Sequence, residues 1–324
     1  MTALPAPGRH GGDGTAVALA LGLDPTKMLD LSQSLNPVAP DPVPVLRRHL
    51  DAVRHYPDVA PATAALADAM GVDEHRLLLT NGGAEAIRLV SAESGGRVVE
   101  PEFSLHPRGG GPLWRSNPHN PSGRLAGHDE DADVWDEAFY GLATGRWTRG
   151  DSGAVVVGSL TKLLACPGLR VGYVLAPPRE PGLIARCRAR QPTWAVNGLA
   201  VAALPELLAS VDLRAWSLGV RTLRDQLIAV LRDHGLKARP SDANWVLVAT
   251  RGLRARLAPL GVVVRDCTSF GMPDLVRIAV PTSGGLEQLA EALTTINQSA
   301  PHDAAHSRPL PPHLLPHARR KGAS

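Results

Sequence analysis

Of the 34 lysines and arginines in this 324-residue chain, only four are lysine: Lys27, Lys162, Lys237 and Lys321. Lys27 falls in a polar turn, Lys237 in an exposed corner and Lys321 close to the chain end. Lys162 alone sits in an apolar, glycine-bearing stretch, GSLTKLLACPGLRVGY (158–173). An amine can form an imine once burial or nearby cations hold it unprotonated; a guanidinium cannot. Lys162 is therefore the candidate nucleophile, although by itself it reads equally well as a lysine capping or snorkelling at a strand end. Its neighbours Ser159, Thr161 and Arg170 add two hydroxyls and a fork-shaped cation, the makings of a phosphate seat. A second anion element is Asn81-Gly82-Gly83, where a strand passes into a helix at Ala84 and amide N–H groups face outward. Such a junction is also common packing. The chain has neither GxGxxG nor GxxxxGK[ST], which disfavours a dinucleotide or a nucleoside triphosphate.

Short apolar runs alternate with helical spacing around these groups. LLLT (77–80) reads as a buried strand and GGAEAIRLVSAE (82–93) as a helix. RVVEP, DADVWDEA and GAVVVGS are further β-rich runs, and LRVGYVLAP is another strand. Alternation of this kind indicates a parallel sheet covered on both faces. Residues 196–235 have helical spacing interrupted at Pro205. ANWVLVAT, RGLRARLAPLG, VVVRD, LVRIAV and an amphipathic helix over 283–298 form a second, smaller α/β set. The expected organisation is an N-terminal arm contributing to the small domain (1–45), a large domain (46–195), a connecting helix with the small C-terminal domain (196–300), and a tail (301–324). The tail is rich in Pro and His and reads as disordered; its irregular histidine spacing is a poor metal signature.

With 44% hydrophobic and 20% charged residues and a net charge of +3, the chain reads as an ordinary globular protein without a nucleic-acid footprint. No run approaches a membrane span, and no targeting segment is evident, so the expectation is a cytoplasmic protein. Cys166, Cys187 and Cys267 have no pair or zinc spacing and read as reduced structural thiols, with no metal site expected.

HYPD (55–58), NPHNPSG (117–123), DEAF (136–139), SLTK with PGLR (159–170) and VRIAV (276–280) occur in this order. Together they resemble the fold-type I pyridoxal-phosphate enzymes of the class I/II aminotransferase superfamily. LSQSLNPVAP, HGGD (10–13) and VVVRDCTSFG (262–271) most resemble the threonine-phosphate decarboxylases of cobalamin synthesis, with histidinol-phosphate aminotransferases next. The resemblance implies an α/β fold with a mostly parallel sheet in the large domain, trimmed relative to the superfamily, and a smaller α+β domain. It implies pyridoxal 5′-phosphate as cofactor, an amino acid or amino acid phosphate as substrate, and a homodimer with shared sites.

The same resemblance implies roles. Lys162 binds the cofactor covalently and shuttles the Cα proton, while Asp136 pairs with the pyridine nitrogen and His106 supports Asp136 from behind. Asn120 donates to the ring oxygen and Phe103 lies on the ring face. Gly83, Ala84, Ser159, Thr161 and Arg170 hold the phosphate, and Tyr56 reaches the phosphate of the neighbouring subunit. Arg277 and Arg265 take anionic substrate groups, with Asn36 and Asn244 as secondary substrate contacts. Decarboxylation of threonine phosphate is the favoured activity and transamination of the histidinol-phosphate type the alternative; a non-catalytic scaffold is a third reading. Two intervals are short: thirteen residues separate Phe103 from Asn117 and twelve separate Gly123 from Asp136. A βαβ crossover takes about 30 residues, so PRGGGPLWRS bridges where a helix and strand are expected. Phe139 stands where many aminotransferases carry a tyrosine.

Overall fold

Alternation within the apolar runs sorts side chains onto two faces of one sheet, as a two-residue repeat requires. In this computed structural model, which describes residues 4–8, 10–149, 153–180 and 182–298, the strands in chain order are β1 (Leu29–Leu31), β2 (Leu77–Asn81), β3 (Trp114–Ser116), β4 (Val134–Asp136), β5 (Val155–Ser159), β6 (Val171–Leu175), β7 (Trp245–Ala249), β8 (Val262–Asp266) and β9 (Leu275–Ala279). The first helices are α1 (Gly14–Leu21), α2 (Val43–Arg48), α3 (Ala60–Met70), α4 (Gly82–Ser94), α5 (Tyr140–Thr144) and α6 (Leu160–Leu163). Then come α7 (Gly182–Arg190), α8 (Gly198–Ala209), α9 (Leu213–Asp233), α10 (Leu253–Leu257) and α11 (Ser283–Gln298).

The large sheet has the order β2-β6-β5-β4-β3. Leu77, Leu79, Trp135, Val156, Tyr173 and Leu175 pack on one face with residues of α3 and α8. Leu78, Val134, Val157 and Val174 pack on the other with residues of α4 and α7. Burying both faces is the outcome expected of these near-continuous apolar strands. The expectation of a parallel sheet needs one correction: β6 runs antiparallel to both of its neighbours, β2 and β5. A run such as LRVGYVLAP records burial but not direction. The reversal has a structural consequence. β2, β4 and β5 end at Asn81, Asp136 and Ser159, while β6 begins beside them, with Asn81 opposite Val171 and Ser159 opposite Gly172.

The second sheet has the order β1-β8-β9-β7. β1, too short to show periodicity in the sequence, lies parallel to β8, so an early segment completes the sheet of the C-terminal part. α9 repeats apolar residues at 213, 216, 220, 223, 227 and 231, all buried, and bridges the two cores. Two further expectations are corrected. RVVEP forms only a single bridge, Arg97 with Leu113, because Gly95 and Gly96 take the chain into a loop closed by Gly96 N–H to Gly110 O and Arg97 N–H to Pro112 O. Pro205 does not interrupt the helix; it lies inside α8. An interior proline costs about 3 kcal/mol, and the buried Leu204, Leu207 and Leu208 around it offset that. The break comes at Ser210–Asp212, where the Asp212 carboxylate accepts the N–H of Ala215 and caps α9. The tail at 301–324 and its histidines lie outside the described residues.

Candidate active site

The carboxyl edge of the large sheet carries most of the singled-out residues, the position where open α/β sheets bind ligands. Gly82 opens α4 with φ +75°, and a Cβ there would stand 2.5 Å from the Arg170 guanidinium. Gly172 faces the same junction: a Cβ would meet the Gly82 carbonyl carbon at 2.5 Å and the Gly83 nitrogen at 2.6 Å. A Cβ on Gly83 would lie 3.2 Å from that of Ser159. Glycines thus let three backbone segments and one guanidinium converge on the start of α4, whose first amides have no partner within the helix. Glu85 sits in that first turn, but its carboxylate accepts the Asn81 N–H at 2.6 Å and the Gln191 amide at 3.0 Å. Arg170, itself at φ +54°, is exposed, as is Ala84. Thr161 differs from expectation: its buried hydroxyl donates to Val171 O at 3.3 Å and braces the turn into β6.

Lys162 is one turn past Ser159, in α6. Burial, followed by the positive charges of Arg277 and Arg170, pulls its amine down to about 8, with Arg265 acting in the same direction and Asp30 against it. Those causes are the desolvation and like-charge effects that activate a lysine.

Asp136, the last residue of β4, is buried; its Oδ2 lies 2.9 Å from His106 Nε2, and its Oδ1 accepts the Ala138 N–H at 3.0 Å. Phe103 meets His106 edge-on, ring centroids 5.6 Å apart, and carries His10 of the HGGD segment on another edge at 5.8 Å. Phe139 packs edge-on against Trp245 at 4.7 Å. Glu137, beside Asp136, is buried and pushed up to about 7 by desolvation.

Arg265 and Arg277 occupy facing register positions on β8 and β9. Like charges directly opposite are ordinarily unfavourable in a sheet. Both side chains are buried, and desolvation followed by the charge of Arg265 lowers Arg277 to about 10. Arg277 donates to Asn120 Oδ1 at 2.9 Å and stacks over Trp245 at 4.8 Å; Arg265 donates to Ser269 Oγ at 2.9 Å. A cross-strand arginine pair of this kind has the charge and geometry to receive an anion, and the Arg277–Asn120 bond links the small sheet to the NPHNPSG loop.

The other expected residues are placed differently. Asn36 donates to Leu163 O at 2.9 Å, its backbone N–H donates to Lys162 O, and its Oδ1 accepts the Val38 N–H. It holds the backbone on either side of the Lys162 side chain. Asn244 is fully buried and donates to Ser34 O at 2.7 Å and Leu35 O at 3.1 Å, fixing the SLNP segment. Tyr56 is exposed and stacks on Trp194 with ring centroids 4.1 Å apart. All three cysteines are buried and free, their thiols pushed up to about 11 by burial. Sequence reading passed over Gly172, Trp245, Glu102 and Arg108. The glycine was visible in VGY, but only the reversed strand gives it a purpose.

The residues fit pyridoxal phosphate: a glycine cradle with a guanidinium for the phosphate, a buried carboxylate for a ring N–H, and an amine able to react with an aldehyde. Among the described residues, no cluster of His, Cys, Asp and Glu suits a metal, and no helix is long and apolar enough to cross a membrane.

Comparison with known proteins gives the following. The family model for aminotransferase class I and II matches residues 111–296. Histidinol-phosphate aminotransferase 1 of Dechloromonas aromatica is 26% identical, the match covering 86% of this chain and 92% of the relative. The histidinol-phosphate aminotransferase of Sinorhizobium meliloti, solved in complex with pyridoxal-5′-phosphate, superposes with a TM-score of 0.73 at 16% identity, covering 88% of this chain and 94% of that one. The L-threonine-O-3-phosphate decarboxylase of Porphyromonas gingivalis gives 0.68 at 24% identity, covering 84% and 100%. At these identities the structures establish the shared fold.

Proposed function

The chain belongs to the class I and II aminotransferase family, whose members depend on pyridoxal phosphate, and on that premise we propose that it transfers the amino group of a phosphorylated amino substrate of the histidinol-phosphate type. This reverses the order set by sequence motifs alone. The full-length relatives are histidinol-phosphate aminotransferases, whereas the threonine-phosphate decarboxylase is a neighbour in fold. The observation that carries the reading is the buried pair Arg265 and Arg277, adjoining Asn120 and acting electrostatically on Lys162.

When bound, pyridoxal phosphate supplies the electron sink for a carbanion at the substrate Cα. Gly82, Gly83, Ser159 and Arg170 hold its phosphate, and Asp136 keeps its ring nitrogen protonated. Lys162 Nζ is the base for the proton at Cα. Arg265 and Arg277 take a substrate phosphate in one half of the reaction and an acceptor carboxylate in the other. Asn120, tied to Arg277, couples substrate seating to the ring. A second copy of the chain is expected over the exposed Leu50, Val53, Tyr56, Val59 and Trp194, with Tyr56 directed at the partner's cofactor phosphate.

The decisive experiment offers histidinol phosphate with 2-oxoglutarate and, separately, threonine phosphate without an acceptor. Glutamate formation in the first is the expected result. Carbon dioxide release in the second would overturn it in favour of the decarboxylase, a reading that Phe139 and the HGGD segment against Phe103 support. Arg277→Lys, which loses the planar fork, is expected to raise KM for the phosphorylated substrate about 10- to 100-fold.

A further inference from the structure

The loop over 100–106 carries both Phe103 and His106, yet among the described residues it contains no helix or strand. Two side chains hold it. Arg108 reaches back and donates from Nη2 to Glu102 O at 3.0 Å, and from Nη1 to Phe103 O at 3.1 Å and His106 O at 2.6 Å, while its Nε pairs with Glu100 at 2.7 Å. Five donors on a rigid fork suit one arginine to gathering several carbonyls. Glu102 holds the loop from within. Its carboxylate is buried and accepts the Phe103 N–H at 2.7 Å, the Ser116 hydroxyl at 2.6 Å and the Ser116 N–H at 2.9 Å. Ser116 lies opposite Asp136 in the β3–β4 register. His106 is therefore flanked by two carboxylates: Asp136 on Nε2, and Glu102 Oε1 at 3.9 Å from Nδ1.

We propose that Glu102 and Arg108 are positioning residues that act through Phe103 and His106 to fix the cofactor ring and the Asp136 carboxylate, replacing the regular structure missing from this shortened interval. The inference rests on the pyridoxal-phosphate reading. A buried carboxylate satisfied by a neighbouring strand and a guanidinium satisfied by three carbonyls define one loop conformation. Loosening either lets the imidazole and the phenyl ring turn away from the site.

The test is titration of apoprotein with pyridoxal phosphate, followed by visible absorbance for affinity and by visible circular dichroism for ring orientation. The wild type should bind and show a dichroic band. Glu102→Gln, which keeps volume, and Arg108→Ala are each expected to weaken binding about tenfold, the loss of one charge-assisted hydrogen bond, and to diminish the band; Arg108→Lys should recover part of both. Arg186→Ala, in an ion pair with Glu93 that shares no partner with this loop, should match wild type. If Arg108→Ala fails to fold, Glu102→Gln and Arg108→Lys carry the test. Variants that melt earlier but keep wild-type affinity and dichroism overturn the proposal and leave the cofactor reading intact. A wild type that does not bind the cofactor overturns both.

Discussion

The two ends of the site are built by different means. At the end proposed for the phosphate, backbone does the work: three strand termini converge, and glycines at 82, 83 and 172 let them approach where a Cβ would crowd a neighbour. In the two shortened intervals on either side of β3, over 95–113 and 117–133, side chains stand in for regular structure. Arg108 and Glu102 fix one loop, and Glu130 gathers Arg124, Arg115 and the Gly127 N–H in the other shortened interval. A backbone-built seat is rigid and intolerant; a side-chain-built wall can be shortened, because each tie is local and separately replaceable.

Four substitutions would break or sharpen this contrast. Lys162→Ala should abolish the visible band of the bound cofactor and lower turnover by at least about four orders of magnitude, roughly 5 kcal/mol of transition-state stabilisation. Near-normal turnover in a stopped assay would remove the lysine from its role. Gly172→Ala comes next. Its methyl would run into the backbone of Gly82 and Gly83, so urea denaturation should show a loss of about 3 kcal/mol. A wild-type midpoint would mean that the seat is softer than its geometry implies.

Glu137→Gln should act in the other direction. Its folded value, raised from 4.5 to about 7, means that the native state holds the proton more tightly than the unfolded chain. The penalty is absent below about pH 4.5 and complete above about pH 7. The glutamine variant should therefore be more stable at pH 8, by up to about 3 kcal/mol, and equal to wild type near pH 4.5. Melting curves at the two pH values check the sign. The smallest effect belongs to Glu130→Gln. Glu130 is lowered to about 2, chiefly by the Arg124 hydrogen bond, so its contribution is present above about pH 4.5 and fades as pH falls toward 2. Partly exposed, it should cost no more than about 1 kcal/mol at pH 7, with turnover unchanged. A collapse of activity there would show that the wall is not separable from the site.

This contrast also explains what the sequence disclosed. LLLT, GAVVVGS and LRVGYVLAP announced strands because burial on two faces leaves a compositional mark, and Lys162, Asp136, Asn120, Arg170 and Arg277 stood in motifs. Strand direction left no mark, so LRVGYVLAP announced a strand but not its reversed sense. Glu102 and Arg108 were illegible because, apart from the Arg108–Glu100 ion pair, their partners are mostly backbone groups and one serine fourteen residues away, which no residue type signals. For Asn36 and Asn244 the letter alone did not show that each ties two buried segments together. Pro205 misled because local propensity was weighed without the leucines packed around it.

The reversal of β6 within the large sheet has one more effect. Because the chain doubles back after α6, the residue that would tether the cofactor covalently and the cation that would grip its phosphate are separated by only seven residues of tight connection. That segment is a fixed calliper: lengthening or shortening it would pull one jaw from its target. The distant loops, which span no such gauge, are free to vary in length.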